Sequence, residues 1–162
     1  MTLLYIHTHD DIQKTVKRET SLLAVRRKDQ EGNTLLDELV MDEAYEIAFR
    51  DYFLDARANV TMACSAYIRN FEDTDFFEND NFDLDKDFEI HLEIENFITA
   101  LNDSISTKMH MYLATYIMYL WLETKLPEEA QVYLHRANVY LADMKRLLEM
   151  RAGRKIKITR LY

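Results

Sequence analysis

Five histidines, one cysteine and 29 carboxylates are the side chains of this 162-residue chain best able to do chemistry, and their spacing narrows what that chemistry is. His7, His9, Asp10 and Asp11 put metal-capable ligands in one short run, and two imidazoles two residues apart on an extended chain can reach one ion if the chain folds back. The plainer expectation is that His7 and His9 are exposed leader residues, while the aspartates cap and charge the first helix. A di-iron carboxylate site needs Glu-x-x-His pairs on two helices, and no acid stands three residues before His91, His110 or His135. His110 and His135 each border an apolar stripe and read as core-edge histidines. Asp83, Asp85 and Asp87 open like a calcium loop, but Phe88 occupies the glycine position and Ile94 the closing glutamate position. A solvated acidic loop is the expectation there.

Cys64 is the single cysteine, so an internal disulfide and a cysteine-ligated metal or cluster are both excluded. It falls among small residues inside a helical pattern and is expected to be packed rather than reactive. Gly32 and Gly153 are the only glycines, which removes the P-loop, the dinucleotide fingerprint, the nucleophile elbow and the glycine-rich kinase loop. No catalytic residue, metal or cofactor is assigned, no small-molecule substrate is evident, and the chain is expected not to be an enzyme.

Charge is the more informative property. Residues 72–95 hold eleven acids against the one base Lys86, a net of −10, so the remainder of a chain of net charge −9 is near neutral. Asp80, Asp83, Asp85, Asp87 and Glu89 form the middle of this acidic arm. At the other end, residues 151–162 carry Arg151, Arg154, Lys155, Lys157 and Arg160 and no acid, a local +5. Opposite charges of this size in one small protein suit attraction between copies, or docking onto an oppositely charged partner. The basic face Lys14, Lys17, Arg18, Arg26, Arg27 and Lys28 and the tail are the two patches that nucleic acid would need. Net acidity and the lack of a helix-turn-helix or zinc pattern argue against that partner.

The elements that carry these groups read as mainly helical. Leu134, Ala137, Leu141, Met144 and Leu148 recur at steps of three and four after Pro127, a good first helical residue, with Glu128 and Glu129 at the positive end of the dipole and Gly153 as the stop. Leu101, Ile105, Met109, Tyr112, Tyr116, Ile117 and Leu120 define the helix before it, joined by a short link that makes the two antiparallel neighbours. A third long helix is expected from about Asp42, its cap, to Asn70. A shorter N-terminal helix runs from Ile12 to Arg26 with Asp10 or Thr8 as cap. Residues 29–40 form a connector, with a helical turn after Thr34. Phe88, Ile90, Leu92 and Ile94 alternate with polar residues as a strand does, yet a helix starting near Phe88 also fits residues 88–95. The fold class is thus mainly α: one domain over residues 1–162, a four-helix bundle-like body of three long helices and a shorter one, with an acidic extended arm at 72–95 and a basic tail at 151–162.

Tyrosine is abundant, with ten copies. Tyr112, Tyr116, Tyr119, Tyr133 and Tyr140, with Trp121, fall on the last two helices, where a polar-tipped aromatic face suits either a subunit interface or core-edge packing. The run Leu3 to Ile6 is too short for a signal core, and Met111 to Leu122 falls well short of the roughly 20 residues that cross a bilayer. A cytoplasmic protein, or one inside a virion-like assembly, is expected.

Four stretches resemble a known group: DEAYEIAFRDYF at Asp42 to Phe53, YLATYIMYLWLE at Tyr112 to Glu123, EEAQVYLHRA at Glu128 to Ala137, and LLEMRAGRKIKITRLY at Leu147 to Tyr162. They resemble small helical structural proteins of phages and prophages, particularly those of Bacteroides-type bacteria. In plan they are similar to head-tail connector or adaptor proteins. The resemblance covers residues 40–162, is architectural, and carries no functional residue. It implies a helical body that forms rings, arms or tails that reach neighbouring subunits, and partners that are further copies or other structural proteins. The alternative from charge alone is a monomeric acidic adaptor or regulator that binds one protein partner through residues 72–95.

Overall fold

The computed structural model describes residues 1–27, 32, 35–68 and 87–150. The chain is mainly helical, with a small two-stranded sheet. Strand β1 (Thr2–His7) leads into α1 (His9–Arg26), a one-turn helix follows at Leu36–Leu39, and α2 (Glu46–Cys64) is entered through a 3-10 turn at Glu43–Tyr45. Strand β2 (Phe88–Glu93), α3 (Asn102–Leu122) and α4 (Pro127–Glu149) complete the order.

Helix α3 is the centre, because ten of its 21 residues are buried, among them Ile105, Met109, Leu113, Ile117 and Leu122. Helices α1, α2 and α4 all pack on it. Removing such side chains from water contributes about 1.5–3 kcal/mol each. Leu126 and Pro127 end the link between α3 and α4, and Pro127 is the first residue of α4, where its missing N–H costs nothing. The two helices are antiparallel, and Lys108 near the start of α3 donates to Asp143 near the end of α4 at 2.8 Å. Trp121 donates its indole N–H to the Leu39 carbonyl at 2.8 Å, which fixes the one-turn helix against α3.

Thr8 caps α1, its hydroxyl accepting the Asp11 N–H at 3.2 Å, and Asp10 and Asp11 sit in the first turn as the dipole favours. Asp42 caps the entry to α2 by accepting from Ala44 N–H. β1 and β2 pair antiparallel, Thr2 opposite Glu93 and His7 opposite Phe88. Leu3, Tyr5 and His7 on one strand and Phe88, Ile90 and Leu92 on the other turn inward onto the helices. Asn96, at φ 52° in the turn that leaves β2, takes a left-handed conformation that asparagine tolerates better than most residues.

Several expectations need correction. The N-terminal helix, at 18 residues, is the shortest of the four, but only by one residue from α2, which at 19 stops at Cys64 instead of Asn70 and gives way to a 3-10 turn at Ser65–Tyr67. The acidic arm does not run to residue 95, because Phe88–Glu93 is a strand with its apolar residues against the core, and the competing helix over 88–95 does not form. The run at Leu3 to Ile6 belongs to β1, an element absent from the sequence reading. Helix α4 ends at Glu149; Gly153, its expected stop, lies outside the described residues, as do Asp80, Asp83, Asp85 and the tail bases Arg151, Arg154, Lys155, Lys157 and Arg160.

Candidate functional site

The N-terminal histidines are buried. His7 is the last inward residue of β1 and His9 the first residue of α1, and they keep 6% and 8% of their surface exposed. They are structural members of a corner where β1, β2, α1, α2 and α3 meet, and not exposed leader residues. The strand's parity places His7 inside with Leu3 and Tyr5, and the tight Thr8 cap swings His9 toward Phe49 and Phe53, whose rings it meets edge-on at 4.8 and 5.6 Å. His7 stacks on Phe88 and lies 5.9 Å from the His110 ring, centroid to centroid.

Polar contacts at this corner are few. Asp87 accepts the His9 backbone N–H at 3.0 Å, tying the start of α1 to the start of β2. The His9 Nε2 lies 3.4 Å from Glu46 Oε1, a contact whose alignment falls short of a hydrogen bond. Glu46 is itself held by Gln13 and by Arg50 at 3.3 Å. His110 shares a 3.1 Å hydrogen bond with the Thr15 hydroxyl. The Arg57 guanidinium lies 5.6 Å from the rings of both Phe53 and Phe88, a cation-π position that covers the cluster. His7 Nε2 and the Tyr5 hydroxyl are buried with no hydrogen-bond partner among the described residues.

This environment sets the chemistry. Burial, reinforced by His110, pushes His7 down to about 4, so it is neutral at pH 7. Burial also lowers His110, with Asp11 acting against it and Arg18 with it. Tyr5 is pushed up to about 12 by burial, then by Cys64 and Asp103. Cys64 is buried, and burial pushes its thiol up to about 12 with Lys145 only partly offsetting this, so the packed, unreactive reading of the cysteine fits. Among the described residues no three His, Cys, Asp or Glu side chains converge as a metal site. A shallow cleft beside the corner, lined by Asp10, Gln13, Lys14, Lys17, Met41, Asp42 and Glu43, measures about 200 Å³. That is below the roughly 300–1,000 Å³ of ordinary ligand pockets.

The aromatic candidates divide. Tyr112 and Trp121 are buried within the chain, which removes them from a surface offered to partners. Burial also pushes Tyr112 up to about 12. Tyr116, Tyr119, Tyr133 and Tyr140 are half-buried. Tyr116 stacks on Tyr112 at 5.6 Å and meets Tyr119 at 5.7 Å, while Lys108 sits 5.1 Å from the Tyr140 ring. These four are core-edge residues with an exposed side. Of the acidic arm, Asp87 is exposed just before β2, and Glu89 points outward from β2 with its carboxylate 2.8 Å from His91. His135 on α4 is exposed.

Sequence reading missed the exposed aliphatic pair Leu4 and Ile6 on the outer face of β1, at 49% and 52%. It also missed the grouping of His7 with His110. Strand parity would have sorted Leu4 and Ile6 from Leu3, Tyr5 and His7, but both faces of the strand are apolar, and no local signal joins His7 to His110. No helix among the described residues is long and apolar enough to cross a membrane. No protein-family model matches the chain, and neither a curated protein nor a solved structure matches it.

Proposed function

We propose that the chain is a non-enzymatic structural or assembly subunit, similar in plan to phage or prophage head-tail connectors, that works by contact with its own copies or with other structural proteins. The four helices form a single bundle-like body in this reading, located in the cytoplasm or within a virion-like assembly. The observation that carries it is the separation of charge: a net of −10 over residues 72–95 and +5 over residues 151–162. Copies of a chain of net charge −9 repel one another unless regions of opposite sign meet, and these two regions supply the pair. The exposed Leu4 and Ile6 add apolar surface of the kind that contacts bury.

The test is light scattering on size-separated full-length protein across a range of concentration and ionic strength. Multimers that loosen as salt rises are the expected result. A strict monomer throughout would contradict self-association and shift the reading to an acidic adaptor for a single protein partner.

A further inference from the structure

The two edges of the sheet are chemically different. Met1 and Ile94 exchange both backbone bonds, the Met1 amine donating to the Ile94 carbonyl at 3.1 Å and the Ile94 N–H to the Met1 carbonyl at 2.9 Å. Doubly bonded pairs recur at every second residue of an antiparallel ladder, so Leu3 with Leu92, Tyr5 with Ile90 and His7 with Phe88 belong to the same class. The backbone N–H and C=O groups of Thr2, Leu4 and Ile6 therefore point away from β2, along an edge of β1 that no strand pairs among the described residues. Folded proteins blunt such edges with charge, proline or a bulge. β1, with the sequence TLLYIH, has no acid, lysine, arginine or proline, and its outward residues Leu4 and Ile6 are half exposed.

Acidic groups lie on the same outer face, one strand away from this apolar edge. Glu89 stands opposite Ile6 and Glu93 opposite Thr2 on the neighbouring strand, and Asp10 and Asp11 follow at the start of α1. An edge of this kind selects an extended segment in which apolar and basic residues alternate, since main-chain bonds supply affinity and the side chains supply the match. The chain contains one such segment, Arg154-Lys155-Ile156-Lys157-Ile158, in a region with no acid. At the strand period Lys155 and Lys157 share one side, and Ile156 and Ile158 the other. The eight residues 151–158 span roughly 27 Å when extended, enough for the segment to project from the end of α4.

We propose that residues 154–158 of one copy add as a third strand to the open edge of β1 on a neighbouring copy. Ile156 and Ile158 extend the inward apolar face begun by Leu3 and Tyr5. Lys155 and Lys157 lay their aliphatic stems over Leu4 and Ile6 and bring their ammonium groups toward Glu89 and Glu93. The proposal rests on the self-association reading above and names its contact.

Charge reversal in the full-length chain tests it by sedimentation velocity, with circular dichroism to check the fold. K155E/K157E and E89K/E93K are each expected to weaken association at least tenfold, and the four substitutions together to recover most of it. Leu4→Lys, at an exposed position, is expected to weaken association without moving the thermal midpoint by more than a degree or two. Wild-type multimers unaffected by any of these variants would overturn this contact and leave self-association standing through another. A wild type that stays monomeric would overturn the reading and the contact together. A monomer in which K155E/K157E changes hydrogen exchange at Leu4 and Ile6 would overturn docking on a neighbour in favour of docking within one chain.

Discussion

Helix α3 and the corner where β1 meets α1 are both buried, but they are stabilised in different ways. Around α3, Ile105, Met109, Leu113, Ile117 and Leu122 are apolar and wholly enclosed, and three helices share the contact. At the corner, burial falls on His7, His9 and Tyr5, and a two-stranded ladder, one Asp87 bond and one Thr8 cap hold the elements together. A two-stranded sheet is marginal without the layer beneath it. The same degree of burial yields an inert region where the side chains are hydrocarbon and a pH-sensitive one where the His7 imidazole is enclosed.

The largest effect is expected at the inert centre. Leu113→Ala removes most of a fully buried side chain from α3 and should cost about 2–5 kcal/mol in urea unfolding. A loss below 1 kcal/mol would show that α3 is not the centre of the core.

Acid should act on the other region. The folded chain holds His7 at about 4 against 6.5 for the free side chain, so between these values the unfolded chain binds more protons. The stability contributed by neutral His7 is complete above about pH 6.5 and is lost as the pH falls toward about 4, a total of about 3 kcal/mol. His110, also lowered, adds to the slope in the same direction. His7→Phe should flatten the pH dependence of the urea midpoint between pH 6.5 and 4, and an unchanged slope would remove His7 from this role.

Trp121→Phe comes next. It keeps an aromatic ring but leaves the Leu39 carbonyl without its donor, which should cost about 1–3 kcal/mol in the same unfolding assay. The smallest effect is expected at the tie between α3 and α4. Asp143→Asn removes the charge of a half-buried pair with Lys108, whose side chains remain open enough to solvent for salt to screen them in part. The denaturation midpoint should barely move, and less at high ionic strength.

The contrast also explains what was legible beforehand. α3 and α4 announce themselves, since Leu134, Ala137, Leu141, Met144 and Leu148 follow helical spacing and Pro127 marks a start that packing has no reason to override. The Thr8 and Asp42 caps are local side-chain to backbone bonds and are equally readable. β2 was half legible, because Phe88, Ile90 and Leu92 alternate with polar residues. β1 was hidden because Leu4 and Ile6 on its outer face are as apolar as Leu3 and Tyr5 on its inner face, which erases the period of two. Burial of His7 depends on Phe88 and His110, distant in sequence, and no local pattern encodes such a meeting. The proposed docking edge has the same origin: the residues that blur the strand's pattern, Leu4 and Ile6, are the ones exposed on its outer face.

If an inert helical centre is joined to an acid-responsive strand corner, the two should separate as the pH falls. Residue-resolved hydrogen exchange at pH 7 and near pH 4.5, corrected for intrinsic rates, tests it most directly. Amides of Leu3, Tyr5, Ile90 and Leu92 are expected to lose protection at the lower pH while those of Leu113 and Ile117 keep theirs. Parallel loss in both regions, or loss in α3 first, would contradict it.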